Sequence, residues 1–263
     1  RRSYRPTPAR HFPPYLMMHS IRRLARTWVG VAIAIGMAVS TPGAAAAQAV
    51  PRDSAIFRGS DATLLGVTTA GAVLLFQRDQ AITEWFRQPA LQNNALLKNT
   101  MTGARLFGDP GSLAISAAMW AGGRMFHDPN TARDGQMAFE AVAVSSAITI
   151  ALKAAAGRAR PYADSTNAHN FAFGRGISDG AYQSFPSGHA TAAFAFASAI
   201  TASVARRSSR DARILGPLLY TAAALTAASR VYDHKHWASD VLLGAGIGTV
   251  GGLMTVRWHD RHP

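Results

Sequence analysis

The 263-residue chain contains no cysteine. Disulfides, thiolate nucleophiles and cysteine-ligated zinc are thereby excluded, and an oxidising compartment poses no hazard. Acids are scarce: 14 Asp and Glu stand against 27 Lys and Arg. Nowhere do carboxylates cluster at a spacing that would hold a hard cation, so no metal or other cofactor is expected. Sustained strand alternation is missing. No basic stripe interleaves with aromatics, which leaves nucleic acid without a recognisable site. Internal repeats are also lacking. What is present is 48% hydrophobic and 16% charged, a composition that suits one helical domain with a full core.

The first fifty residues differ from the rest. Residues 1–16 are rich in Arg and Pro and are read as upstream sequence outside the native protein. Residues 17–49 have the make-up of a secretory signal: basic Arg22, Arg23 and Arg26, an apolar run from Val29 to Val39, and Ala47-Gln48-Ala49 as an A-x-A cleavage pattern. The mature domain is expected to begin near Val50 and to occupy 50–263. Removing the seven leading arginines leaves 20 bases against 14 acids, a net of +6. That modest balance suits an anionic substrate or an anionic membrane surface.

Helices are expected at 62–77, 91–106, 111–125, 131–156, 190–206, 211–229 and 237–256, with a short turn around 81–87. Asp109-Pro110 and Asp128-Pro129 mark helix starts, and Gly157 weakens the end of the fourth. The fold class is therefore all-α, a bundle of about six to seven helices with an active site at one end. Residues 162–186 form the longest irregular connection, and loops of that length in a compact domain are usually functional. Four runs (62–77, 190–205, 214–229 and 241–256) are each sixteen residues without a charge. A spanning helix needs about 20 apolar residues, so these fall short.

Three short segments carry chemistry. In Lys153-Ala-Ala-Ala-Gly-Arg-Ala-Arg160-Pro161, Lys153 and Arg160 would leave one helical face if the helix persists, and Pro161 ends it. In Pro186-Ser187-Gly188-His189, Ser187 or Gly188 would cap the following helix and leave free N–H groups for an anion. In Ser229-Arg230, five residues and then His236 and Asp240, the last two are expected to meet at the start of the final helix. The carboxylate would then fix the imidazole tautomer and free the other nitrogen as nucleophile or base. Arg230 can close a fork on phosphate oxygens. Each segment alone has a bland explanation, a solvated pair or an ordinary cap. With helices alternating in direction, however, all three converge on one end of the bundle.

Lys-x6-Arg-Pro, Pro-Ser-Gly-His and Ser-Arg-x5-His-x3-Asp together resemble the three motifs of the type 2 phosphatidic acid phosphatase (PAP2) superfamily, which includes vanadium haloperoxidases. The match covers 153–240 without a departure. The resemblance implies a metal-independent phosphatase acting on phosphomonoesters or pyrophosphates, lipid or small-molecule. His236 would attack phosphorus, Asp240 orient it, and His189 protonate the leaving oxygen and then activate water. Lys153, Arg160, Ser187, Gly188 and Arg230 would hold the phosphoryl oxygens. A vanadate-dependent haloperoxidase and a non-catalytic phosphate- or lipid-binding module are the alternatives. His234 is read as structural or modulatory and His169 as solvated. Phe171, Phe173, Tyr182 and Phe185 are read as a pocket wall or packing anchors.

With a cleaved signal, spans at 62–77, 111–125 and 137–152 would put Lys153 on the cytoplasmic face, whereas membrane-embedded relatives generally face the site outward. The expected product is therefore an exported periplasmic domain, soluble or peripheral, with an integral membrane protein as the alternative.

Overall fold

The computed structural model describes residues 55–262. The upstream segment, the signal sequence and the start near Val50 lie outside the described residues. Among those described there are nine α-helices and no strand. In chain order they are α1 (Gly59–Phe76), α2 (Asp79–Phe86), α3 (Pro89–Gln92), α4 (Ala95–Arg105), α5 (Gly111–Met125), α6 (Pro129–Ala156), α7 (Gly188–Ala205), α8 (Ser209–Tyr232) and α9 (Ala238–Arg261). Two short 3-10 turns, Arg175–Ile177 and Gly180–Tyr182, interrupt the long connection between α6 and α7.

Local chemistry sets several of the boundaries. The Asp128 carboxylate caps α6 by accepting from the N–H groups of Asn130 and Thr131, and Pro129 occupies the first turn, where its missing N–H costs nothing. At the other end of α6, Gly157 takes the left-handed conformation at φ 57°. A Cβ there would also lie 1.8 Å from the Ala172 carbonyl oxygen. The helix therefore stops at Ala156, and Arg160 does not continue the face that carries Lys153.

The core is built around α7, in which every residue from Ala190 to Ser203 is buried. Helices α6, α8 and α9 pack around it. The approach of α9 is the closest, because glycine faces the α7 backbone. A Cβ on Gly248 would fall 2.2 Å from the Thr191 carbonyl oxygen, and one on Gly252 would fall 2.5 Å from that of Ala195. Small-residue contacts of this kind pack helices where no hydrophobic gain separates neighbour from surroundings.

The outer faces are apolar as well. Val67, Val73 and Leu74 on α1, Phe139, Val144, Ile148 and Ile150 on α6, and Ile214 and Leu218 on α8 are all exposed. Helices α1, α6, α7, α8 and α9, 18 to 28 residues long, are long and apolar enough to cross a membrane. The sixteen-residue runs stopped at the first charge, whereas α1, α8 and α9 take in charged residues near their ends that can reach the interface, and α7 gains Gly188 and His189.

Candidate active site

Alternation of helix direction brings one set of helix ends together. His236 lies in the tight connection between α8 and α9, where its N–H and that of Lys235 both donate to the Arg230 carbonyl. His234 supports this turn with φ 54°. His236 is 2% exposed, and its Nδ1 lies 2.6 Å from the Ser184 carbonyl oxygen. A carbonyl can only accept, so Nδ1 carries the proton and Nε2 keeps its lone pair.

The carboxylate of Asp240 does not do what the i, i+4 spacing suggested. It sits 3.9 Å from His236 Nδ1, too far for a hydrogen bond. His236 lies just before α9 rather than in its first turn, so the helical register does not apply to it. Asp240 instead accepts from the Ser184 hydroxyl at 2.6 Å, the Trp237 N–H at 2.9 Å and Arg158 Nη1 at 2.5 Å. Ser184 thus links the two: its hydroxyl is held by Asp240 and its carbonyl holds His236.

The anion-binding elements surround this pair. Ser187 caps α7, accepting from Ala190 N–H at 3.5 Å, while its own N–H donates to the Asp240 carbonyl. Among the described residues the N–H groups of Gly188 and His189 are taken by no acceptor, which leaves them at the positive end of α7. The stem of Lys153 passes over Gly188, its Cε 3.7 Å from where a Cβ would be, and Nζ donates to the Gln183 carbonyl at 2.8 Å. Arg160 arrives from the connection rather than from α6 and is steadied by the Gly180 carbonyl at 3.0 Å. Arg230, 8% exposed, pairs with Asp233 at 3.3 Å, and its buried Nε has no partner among the described residues. His189 packs against Gly108, where a Cβ would meet the ring at 2.8 Å. All eight residues expected from the sequence are therefore gathered at one end.

Burial, reinforced by the charges of Lys153, Arg160 and Arg230, holds His236 well below the usual imidazole range. That shift favours the neutral form of the ring. Arg160 is itself lowered by burial and stays charged, as a guanidinium does in proteins.

Four residues of the arrangement were not found by sequence reasoning: Asp79, Arg158, Ser184 and Ser239. Arg158 is completely buried, with Asp79 at 2.8 Å on one side and Asp240 on the other. Its guanidinium lies 4.5 Å from the Phe76 ring centroid. Gly157-Arg158-Ala159-Arg160 offered a visible second arginine, but no spacing rule distinguished it. Asp79 had no local signal. Of the loop aromatics, Phe171 packs on Phe76, Phe173 and Phe185, and Phe173 is 85% exposed. His169 is exposed with its ring edge against Phe76. His234 has its Nδ1 buried without a partner among the described residues, and burial lowers it below the usual imidazole value.

Residues 137–263 match the family model of the PAP2 superfamily. A lipid A 1-phosphatase of Porphyromonas gingivalis is 42% identical over 87 residues, which cover 33% of this chain and 19% of that protein. The chain thus spans about a fifth of that relative's length. The fold is similar to a transmembrane PAP2 type phosphatidylglycerolphosphate phosphatase of Bacillus subtilis, with a TM-score of 0.57 and 23% identity over 78% of this chain and 96% of the other.

Proposed function

From the match of residues 137–263 to the PAP2 superfamily model, we propose that the chain is a membrane-embedded phosphoric-ester hydrolase working through a phosphohistidine, without a metal. The observation that carries this reading is His236, buried, its Nδ1–H on the Ser184 carbonyl and its imidazole under the charges of Lys153, Arg160 and Arg230.

In the first step Nε2 attacks phosphorus, and the bond from phosphorus to the ester oxygen breaks. His189, at the mouth of α7, gives its proton to the departing oxygen. In the second step His189 takes a proton from water, whose oxygen attacks phosphorus. The P–N bond breaks and phosphate leaves. Lys153, Arg160 and Arg230 balance the charge on the three equatorial oxygens. The N–H groups of Gly188 and His189 and the Ser187 hydroxyl add fixed dipoles. Arg230 Nε, without a partner among the described residues, supplies one donor to an incoming oxygen.

The relatives' names concern lipid-borne phosphates, and the outer apolar faces favour a chain that meets its substrate in a bilayer. This prefers the integral-membrane alternative to a soluble periplasmic domain. The test is phosphate release from a lipid phosphate in mixed micelles, in EDTA, with and without vanadate, beside His236→Ala. Activity should survive EDTA, stop with vanadate and fall by about 10³-fold or more in the variant. Loss of activity in EDTA that added metal restores would overturn the mechanism. Resistance of the membrane-bound chain to carbonate extraction tests the embedding.

A further inference from the structure

We propose that Asp79, on α2 and outside the segment matched by the family model, is a positioning residue for the nucleophile, acting through Arg158, Asp240 and Ser184 on His236. The proposal rests on His236 being that nucleophile. Asp79, Arg158, Ser184 and Asp240 all have 0% exposure, and Ser239 has 1%. None of the five can be reached by solvent or substrate, so an effect on chemistry must pass through the chain.

The bonds leave little freedom. Arg158 Nε and Nη2 both donate to the Ala168 carbonyl, at 3.1 and 2.7 Å. Nη2 also donates to Asp79 at 2.8 Å, and Nη1 donates to Ser239 Oγ at 2.8 Å and to Asp240 at 2.5 Å. Every edge of the guanidinium is used. Asp79 fixes the edge remote from Asp240, and it also accepts the Ser239 N–H at 2.9 Å and the Ser239 hydroxyl at 2.5 Å. Ser239 immediately precedes Asp240. The one carboxylate therefore anchors both the cation that pairs with Asp240 and the first turn of the helix that carries it.

Asp240 in turn holds Ser184, whose carbonyl fixes the ring of His236. A two-residue ion pair serving only to join α2 to the bundle would not need this relay. Electrostatics gives the second consequence. His236 faces Lys153 from α6, Arg160 from the connection, Arg230 from α8 and Asp240 from α9. Asp240 and Asp79 taken together with Arg158 carry one net negative charge. Neutralising Asp79 removes that counterweight to the three cations, which disfavours protonation of His236 further.

The experiment uses the full chain in detergent, with Asp79→Asn and Asp79→Glu. We expect Asp79→Asn to lower kcat by roughly tenfold or more, with KM within about threefold. The acidic limb of its pH–rate profile should move to lower pH, and Asp79→Glu should recover part of kcat. A folded Asp79→Asn protein with kcat within about twofold of wild type and an unmoved limb would overturn the proposal. Should Asp79→Asn not fold, Ser239→Ala decides, since it keeps every charge and removes only the bridging hydroxyl. A kcat loss of about threefold at unchanged KM is then expected, and an unchanged kcat overturns the idea. His236→Ala run in parallel separates the two failures: residual activity there sinks the nucleophile assignment and not merely the role of Asp79.

Discussion

At the residue scale, the proposed mechanism depends on one imidazole staying neutral among three cations. His236 is depressed by burial first and by Lys153, Arg160 and Arg230 next. A base with a lowered pKa is active above that value and lost below it. The acidic limb of kcat/KM should therefore lie below the ordinary imidazole pKa of about 6.5. Lys153→Met should lower kcat/KM by about 10²-fold, and removing that charge should move the limb of the residual activity upward. A limb that stays put would mean another group controls it. The motif residues were legible because each is a chemically suitable type at a short, fixed spacing. Arg158, Ser184 and Asp79 were not, because their roles come from contacts spanning 56 to 82 residues. The same reasoning misplaced the partner of His236. A spacing of four predicts contact only inside a helix, and this histidine precedes one.

At the scale of elements, the position of the α7 N-terminus depends on how closely α9 lies against it. Gly248 faces the Thr191 carbonyl, so Gly248→Ala requires the helices to separate. Overpacking of this kind costs about 1–3 kcal/mol, and activity should fall together with thermal stability because Ser187 and Gly188 open α7. Gly66→Ala is the matched control. Nothing lies within 4 Å of a Cβ there, and helix propensity gains up to about 1 kcal/mol. Unfolding midpoints in detergent check both. Equal midpoints for the two variants would remove α7–α9 packing as the cause. Helix positions were readable from composition, and α5 (Gly111–Met125) was found to the residue. The ends of α8 and α9 were set too short, at 229 and 256, because neutral runs stop where charge begins while hydrogen bonding continues to Tyr232 and Arg261.

At the scale of the whole molecule, the bundle has charged ends and an apolar middle. The end remote from the site is fastened by ion pairs: Arg257 with Asp61, Arg207 with Asp134 at 2.6 Å and Arg206 with Asp260 at 2.6 Å. Asp61 and Arg257 are both buried. Breaking a buried pair by removing one partner costs about 3–5 kcal/mol, so Asp61→Ala should yield far less folded protein on size exclusion in detergent. Yield equal to wild type would show that the pair contributes nothing. Whether the outer face meets lipid was the hardest property to read from the sequence. Alanine and glycine fill both a buried core and a spanning helix, and only exposure in three dimensions separates them.

The direction of α1 has a further consequence. Asp61 at its start pairs with Arg257 near the far end of α9, while Phe76 at its finish packs on Phe171 of the long connection that leads into the candidate site. In a bilayer, the stretch just ahead of α1 and the chemistry therefore occupy different compartments. The native chain has no thiol, so Ser60→Cys and Ser178→Cys, both at exposed positions, can each be probed with an impermeant maleimide against a silent background. Sealed vesicles should protect one and label the other. A fusion partner joined upstream of α1 would thus report the compartment that the substrate phosphate never visits.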